Sequence, residues 1–269
     1  MCADRLTRLP APPGPGALVC PAGHRFDIAR QGQVSLLAAP LRFTGDDGQM
    51  IAARADFLAA GHFAGLRDAA AAAIADHLTG ADPLTVELGA GTGYHLTGIV
   101  KTVGGRGIAL DVSKAAARRA ARAHRDVAAI IADAWSTWPV ADAAVGVVVS
   151  VFAPRNPAET ARVLRPGGLA VVVAPDAAHL GELAGPLGLI GVDADKTRRL
   201  EDGLGAVLDP VTTIPVRYEA AMTRDHAGLA AAMGPSAHHG GDRTAALEAL
   251  PAEVTVTVSA QVSIFRARP

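Results

Sequence analysis

Val86-Glu87-Leu88-Gly89-Ala90-Gly91-Thr92-Gly93-Tyr94-His95 is the stretch whose reading decides the fold. An apolar run carrying a single acid ends in three alternate glycines, the pattern of a buried strand that breaks into a tight turn. Gly89, Gly91 and Gly93 let the backbone turn sharply and approach a ligand without a Cβ in the way. A ligand read from this loop therefore lies against main chain.

Spacing narrows its chemistry. A dinucleotide fingerprint, G-x-G-x-x-G, requires its third glycine at position 94, which is Tyr94. The pattern E-x-G-x-G-x-G is instead associated with S-adenosylmethionine enzymes. No phosphate has to be cradled there, and Glu87 can interact with the charged amino-acid moiety. A glycine-rich turn without a ligand is the structural alternative.

Working outward, Met50 to Ala60 is amphipathic and stops near Gly61, and a second helix from Leu66 to Leu78 leads through Gly80 and Pro83 into a strand at Leu84 to Leu88. Downstream, a helix from Leu96 to Val103 precedes a strand, Gly107 to Asp111. Asp111 falls 18 residues past Gly93, where a Rossmann-like unit places an acid for ribose hydroxyls. It can equally cap the next helix, Lys114 to Ala123. The third strand, Ala128 to Ala132, ends in Asp133-Ala134, either a site for an adenine ring or a turn. Val145 to Val151 is an unbroken β-branched run, as in a strand buried on both faces of a parallel sheet, and Phe152-Ala153-Pro154 follows where such sheets bind ligands.

Ala158 to Leu164 reads as a helix, Arg165 to Gly168 as a turn and Leu169 to Ala174 as a strand. Ala177 to Leu189 is helical and carries His179, while Pro215 to Met222 and Val254 to Arg266 alternate as an antiparallel pair. This succession predicts a doubly wound α/β fold. Residues 1–17, rich in proline and glycine, read as a loop, and the Gly234 to Gly241 segment with His238 and His239 reads as another.

Composition sets outer limits. The 269 residues are half hydrophobic but only 4% aromatic, and the net charge is −1, which does not suit a chain whose whole surface binds nucleic acid. In the first 42 residues, however, Arg5, Arg8, Arg25, Arg30 and Arg42 outnumber Asp4 and Asp27. No secretory segment and no apolar run of about 18 residues is present, so a cytoplasmic protein is expected. Two cysteines exclude a disulfide scaffold. Cys20 and His24 have the spacing of half a zinc site with Cys2 as a third candidate, an incomplete set of ligands; a metal-free turn with a buried thiol is the other reading.

Taken together, these stretches resemble the bacterial 23S rRNA (guanine-N1)-methyltransferases, some of whose members confer macrolide resistance. The resemblance rests on Cys20-Pro21 with His24, Phe26-Asp27, Gly32 with Leu36-Leu37, Gly61-His62-Phe63, the glycine loop, Leu110 to Lys114, Ala153-Pro154, Arg162 to Gly168, and His179-Leu180 with Glu182-Leu183. It implies a Rossmann-like class I S-adenosylmethionine-dependent methyltransferase with a mostly parallel seven-stranded sheet and a small amino-terminal zinc-finger-like module. The implied divisions are residues 1–45 for RNA recognition, 46–83 as a helical linker and 84–269 as the methyltransferase domain. The cofactor pocket it implies adds Phe63, Tyr94 and His179 to Glu87, Gly89, Gly91, Gly93, Asp111, Asp133 and Ala134; Phe152 and Pro154, at the end of the β-branched run, are the candidate shelf for an unpaired target base. The implied partner is a 23S rRNA hairpin loop, with no membrane, and homodimerisation is left open. Methylation of a small molecule and a non-catalytic ribosome-assembly factor are the alternatives.

Overall fold

The structure, a computed structural model, describes residues 5–11, 14–37, 45–189, 191, 202–234 and 243–269. Cys2, Arg42, His238 and His239 lie outside the described residues, as do Asp4 and most of the segment expected to form a loop at 234–241.

Strands β1 (Thr7–Ala11), β2 (Gly14–Val19) and β3 (Arg25–Asp27) form an antiparallel sheet in that order. The proline-rich beginning of the chain is therefore paired, contrary to the loop expected there. Thr7, Arg8 and Leu9 face Val19, Leu18 and Ala17, and the register slips between Leu9 and Ala11, at Pro10. An edge strand with an irregularity is where a residue lacking an N–H fits a ladder.

β4 (Val34–Ser35) leaves this small sheet and pairs in parallel with β7 (Val127–Ile131) of the large one. Next come two helices, α1 (Gly48–Ala59) and α2 (Ala64–His77). Asp47 caps α1 by accepting the Gln49 and Met50 N–H groups, at 2.8 and 2.9 Å. The break between the helices falls at Gly61, with φ at 85°.

The alternation read from the sequence then follows. β5 (Leu84–Leu88), α3 (Tyr94–Val103), β6 (Arg106–Asp111), α4 (Lys114–Ala120) and β7 are followed by β8 (Val145–Val151), α5 (Pro157–Val163) and β9 (Leu164–Pro175). The chain ends with α6 (Gly181–Leu187), β10 (Asp209–Thr223), α7 (Arg224–Met233), α8 (Thr244–Glu248) and β11 (Glu253–Arg266). The large sheet runs β10-β11-β9-β8-β5-β6-β7-β4, with β11 antiparallel to both of its neighbours and the remaining pairs parallel. Among the described residues it has eight strands where seven were expected. The extra one, β4, has two residues, too few for any periodicity to register.

Three boundaries also differ from the reading. Arg165 to Gly168 lie inside β9, accommodated by a register slip opposite Val145 and Val147, and α4 stops at Ala120. His179 sits in the turn before α6, not within a helix. The β8 run behaves as its composition requires: Val147 and Val149 pack with Phe57, Leu66 and Ile74 on one face, and Val148 packs with Val86, Leu110 and Trp138 on the other. Because β6 and β8 flank β5 on opposite sides, the crevice at the carboxyl ends of these strands is a topological switch point. Among the described residues no helix is long and apolar enough to cross a membrane.

Candidate active site

The loop after β5 adopts the conformation that its glycines permit. Gly89, Gly91 and Gly93 have φ of 58°, 55° and 78°, in the left-handed region that side chains rarely enter. A Cβ on Gly89 would lie 2.8 Å from the Ala153 Cβ at the end of β8, so the requirement there is steric as well. The Gly93 N–H donates to the Ala90 carbonyl at 2.8 Å, closing the turn, and Gly93 then starts α3.

Two acids hold this turn from different sides. The Asp111 Oδ2 accepts the Gly91 N–H at 2.8 Å and its Oδ1 accepts the Ser113 N–H at 2.8 Å, tying the loop to the end of β6. Burial raises the Asp111 pKa, partly offset by these two backbone donors. Glu87 lies beneath the loop, 2% exposed, and its Oε2 accepts the Leu96 N–H at 3.1 Å. Burial pushes its pKa up to about 8, leaving the carboxyl neutral at pH 7. Glu87, expected to interact with a charged ligand group, secures the first turn of α3 from below.

Asp133 and Ala134 shape the end of β7. Asp133 accepts the Trp135 N–H and the Ser136 hydroxyl, both at 2.9 Å, in a local turn. The Ala134 carbonyl accepts the Trp138 indole N–H at 2.9 Å and the Asn156 amide at 3.2 Å. With Trp138 buried, this segment is clamped, while Trp135 projects outward at 57% exposure.

At the end of β8, Phe152 has φ of 51°, a strained conformation for an aromatic residue. Its ring centroid is 6.0 Å from that of Phe63 and 5.1 Å from that of His179, and Phe63 and His179 are 5.4 Å apart. Phe63 is 3% exposed and meets Phe57 edge-on, so the Gly61-His62-Phe63 break carries an aromatic anchor from the α1–α2 junction towards β8. His179 accepts the Ser259 N–H on Nδ1 at 3.2 Å. Burial lowers its pKa to about 4, so the ring is neutral with its proton on Nε2. Tyr94 turns towards α2, where Arg67 donates to its hydroxyl at 3.1 Å and stacks over the ring. The Pro154 carbonyl accepts the Ser150 hydroxyl at 3.2 Å, which ties the segment after Phe152 to β8.

Comparison with known proteins gives this geometry a family. Residues 86–168 match the family described as "Methyltransferase domain". A Micromonospora griseorubida protein, provisionally named a 23S rRNA (guanine-N(1)-)-methyltransferase, is 45% identical over 99% of this chain and 95% of its own length. The Streptomyces fradiae 23S rRNA (guanine(748)-N(1))-methyltransferase is 40% identical over 94% of this chain and 91% of its own. The chain belongs to the 23S rRNA (guanine-N1)-methyltransferase family. Among solved structures, a Bacillus halodurans C-125 protein provisionally described as a methyltransferase superposes with a TM-score of 0.52 and 12% identity, over 74% of this chain and 99% of that one. At that identity the likeness is one of fold alone.

Of the expected zinc ligands, Cys20 and His24 lie among the described residues. Cys20 Sγ and His24 Nδ1 are 3.3 Å apart, within a turn closed by the Cys20 N–H donating to the His24 carbonyl. Among the described residues no group of three or more Cys, His, Asp or Glu is placed to hold a metal, and Cys2 lies outside them.

Two features of this methyltransferase fold escaped the sequence reading. Trp135 is not legible from sequence, because a lone tryptophan after a strand carries no motif. Arg54 and Asp46 form an ion pair at 2.6 Å, with the Arg54 guanidinium lying over Gly91. The available signal was that Arg54 is the single cation in α1.

Proposed function

We propose that this protein transfers the methyl group of S-adenosylmethionine to N1 of a guanine in a 23S rRNA hairpin loop. The observation that carries the reading is the 40% identity to the Streptomyces fradiae enzyme, which runs through 94% of this chain and is not confined to the shared methyltransferase motifs.

The residues present fit the cofactor. Three left-handed glycines bare the main chain, and Asp111 and Asp133 bring acceptors to the ends of adjacent strands in the order that a ribose and an adenine require. Bound there, S-adenosylmethionine supplies a methyl group already activated by its sulfonium.

What remains for the chain is alignment. In-line transfer to nitrogen gains most from holding the acceptor at the correct distance and angle. Guanine N1 lies on the Watson–Crick edge, so the base must be unpaired or flipped to present it. Phe152 and Pro154 form the shelf for that base, with Phe63 and His179 fixing the Phe152 ring from behind. Exposed Trp135, at the end of β7, offers a second stacking surface for the loop nucleotides. The N1 proton leaves to water or a carboxylate as the N–C bond forms. Asp176 accepts the Ala178 N–H and the Ser259 hydroxyl, which shapes the turn that presents His179.

Transfer of labelled methyl from S-adenosylmethionine to unmodified 23S rRNA tests the reading, followed by mapping with reverse transcriptase, which stops where N1 is methylated. A single stop at a hairpin guanine is expected. Cofactor binding without methylation of RNA or ribosomal particles would overturn the rRNA assignment.

A further inference from the structure

We propose that Arg54 and Asp46 form the receptor for the α-amino-acid end of the cofactor, Arg54 taking its carboxylate and Asp46 its ammonium group. The inference rests on the cofactor assignment above and gives that pocket a charged end.

The placement comes first. The Arg54 Nη1 and Asp46 Oδ2 are 2.6 Å apart, and both side chains are 26% exposed, neither sealed nor free in solvent. A Cβ built on Gly91 would lie 3.3 Å from the Arg54 Nη1 and 3.5 Å from its Cδ. The guanidinium therefore covers the part of the glycine loop where the main chain is bare. Gly91 is also the residue whose N–H Asp111 fixes, so the ion pair and the ribose-binding acid share one stretch of backbone.

Both partners are anchored from behind. The Arg54 Nη2 donates to the Met233 carbonyl at the end of α7, at 2.6 Å. The Ser113 hydroxyl donates to the Asp46 carbonyl at 2.6 Å, fastening that segment to the start of α4. With Nη2 held by the Met233 carbonyl and Nη1 paired with Asp46, the guanidinium fork is fixed in direction, as carboxylate recognition requires.

The chemistry completes the assignment. The amino-acid end of the cofactor is a zwitterion and needs a cation and an anion side by side. Glu87, the acid that the loop pattern offers, is neutral and buried beneath the turn. Arg54 lies over Gly91, with the opposite charge of Asp46 paired to it. In the free protein they satisfy one another; on binding, that single ion pair is exchanged for two with the ligand, so neither charge is left unpaired.

The test is calorimetric binding of S-adenosylmethionine and of its decarboxylated analogue, which keeps the ammonium group but lacks the carboxylate. Wild type should prefer the intact cofactor by about tenfold or more, the order expected for a charge-assisted contact. Arg54→Gln should abolish that preference while holding affinity for the decarboxylated analogue within about threefold, and Arg54→Lys should restore part of it. Asp46→Asn should in turn erase the preference over the analogue lacking the amino group, which keeps the idea testable if Arg54→Gln fails to fold. Equal loss of affinity for both ligands in Arg54→Gln would mean that Arg54 is only a tie between α1 and α7. A wild type that binds both ligands equally overturns this proposal alone, whereas a wild type that binds neither overturns the cofactor assignment with it.

Discussion

Glu87 Oε2 accepts the Leu96 N–H at 3.1 Å from within the core, linking the end of β5 to the first turn of α3. With its pKa raised by burial to about 8, from an ordinary 4.5, the folded protein binds a proton here that the unfolded chain releases. Stability from this group is therefore fully present below pH 4.5 and is lost as pH rises towards 8. Glu87→Gln keeps an acceptor and removes the titration. Urea unfolding at pH 6 and pH 8 should show wild type losing on the order of 1–3 kcal/mol relative to the variant; parallel curves would show that Glu87 is ionised in the fold.

His179 carries the opposite dependence. Its pKa is lowered by burial to about 4, so the folded protein excludes a proton that the unfolded chain accepts below pH 6.5. Its contribution is whole above pH 6.5 and fades as pH falls to 4. His179→Gln should flatten the loss between these limits by roughly 1–3 kcal/mol in thermal or urea melts. An unchanged slope would place the titration elsewhere.

Gly89→Ala meets two obstacles, a φ of 58° and an Ala153 Cβ at 2.8 Å. A destabilisation of about 1–3 kcal/mol is expected, with cofactor affinity falling at least as steeply because the loop must shift away from β8. Wild-type affinity in a well-folded variant would show that the loop binds no ligand along this edge.

Phe152→Gly separates strain from use. The substitution relieves the left-handed φ of 51°, worth about 1–3 kcal/mol, against the loss of a ring that is 38% exposed. The melting temperature should hold or rise while rRNA methylation falls. A variant both more stable and fully active would remove Phe152 from the base shelf.

Trp135→Ala should leave stability within about 0.5 kcal/mol, as for other exposed positions. It should weaken rRNA binding by about 1–3 kcal/mol if the indole stacks on a base. Gel-shift titration at fixed salt reads the difference, and undiminished affinity would assign Trp135 to the bare surface.

The amino-acid order alone determined the frame of this protein. The run Val145 to Val151, the glycine triplet and Asp111 each report local requirements, namely burial on both faces, left-handed backbone and an acid at a strand end, and the fold meets all three. Short-range signals of that kind survive in a single chain because the cause lies within a few residues. The tertiary structure decided what depends on partners far along the chain. It added β4 to the sheet through pairing with β7, turned the proline-rich start into a hairpin, and enclosed Glu87 so that burial cancelled its charge. It also set Arg54 over Gly91 and brought Phe63, Phe152 and His179 into one aromatic group. Charge state and ring contact are properties of surroundings, and those surroundings exist only once helices and strands have packed.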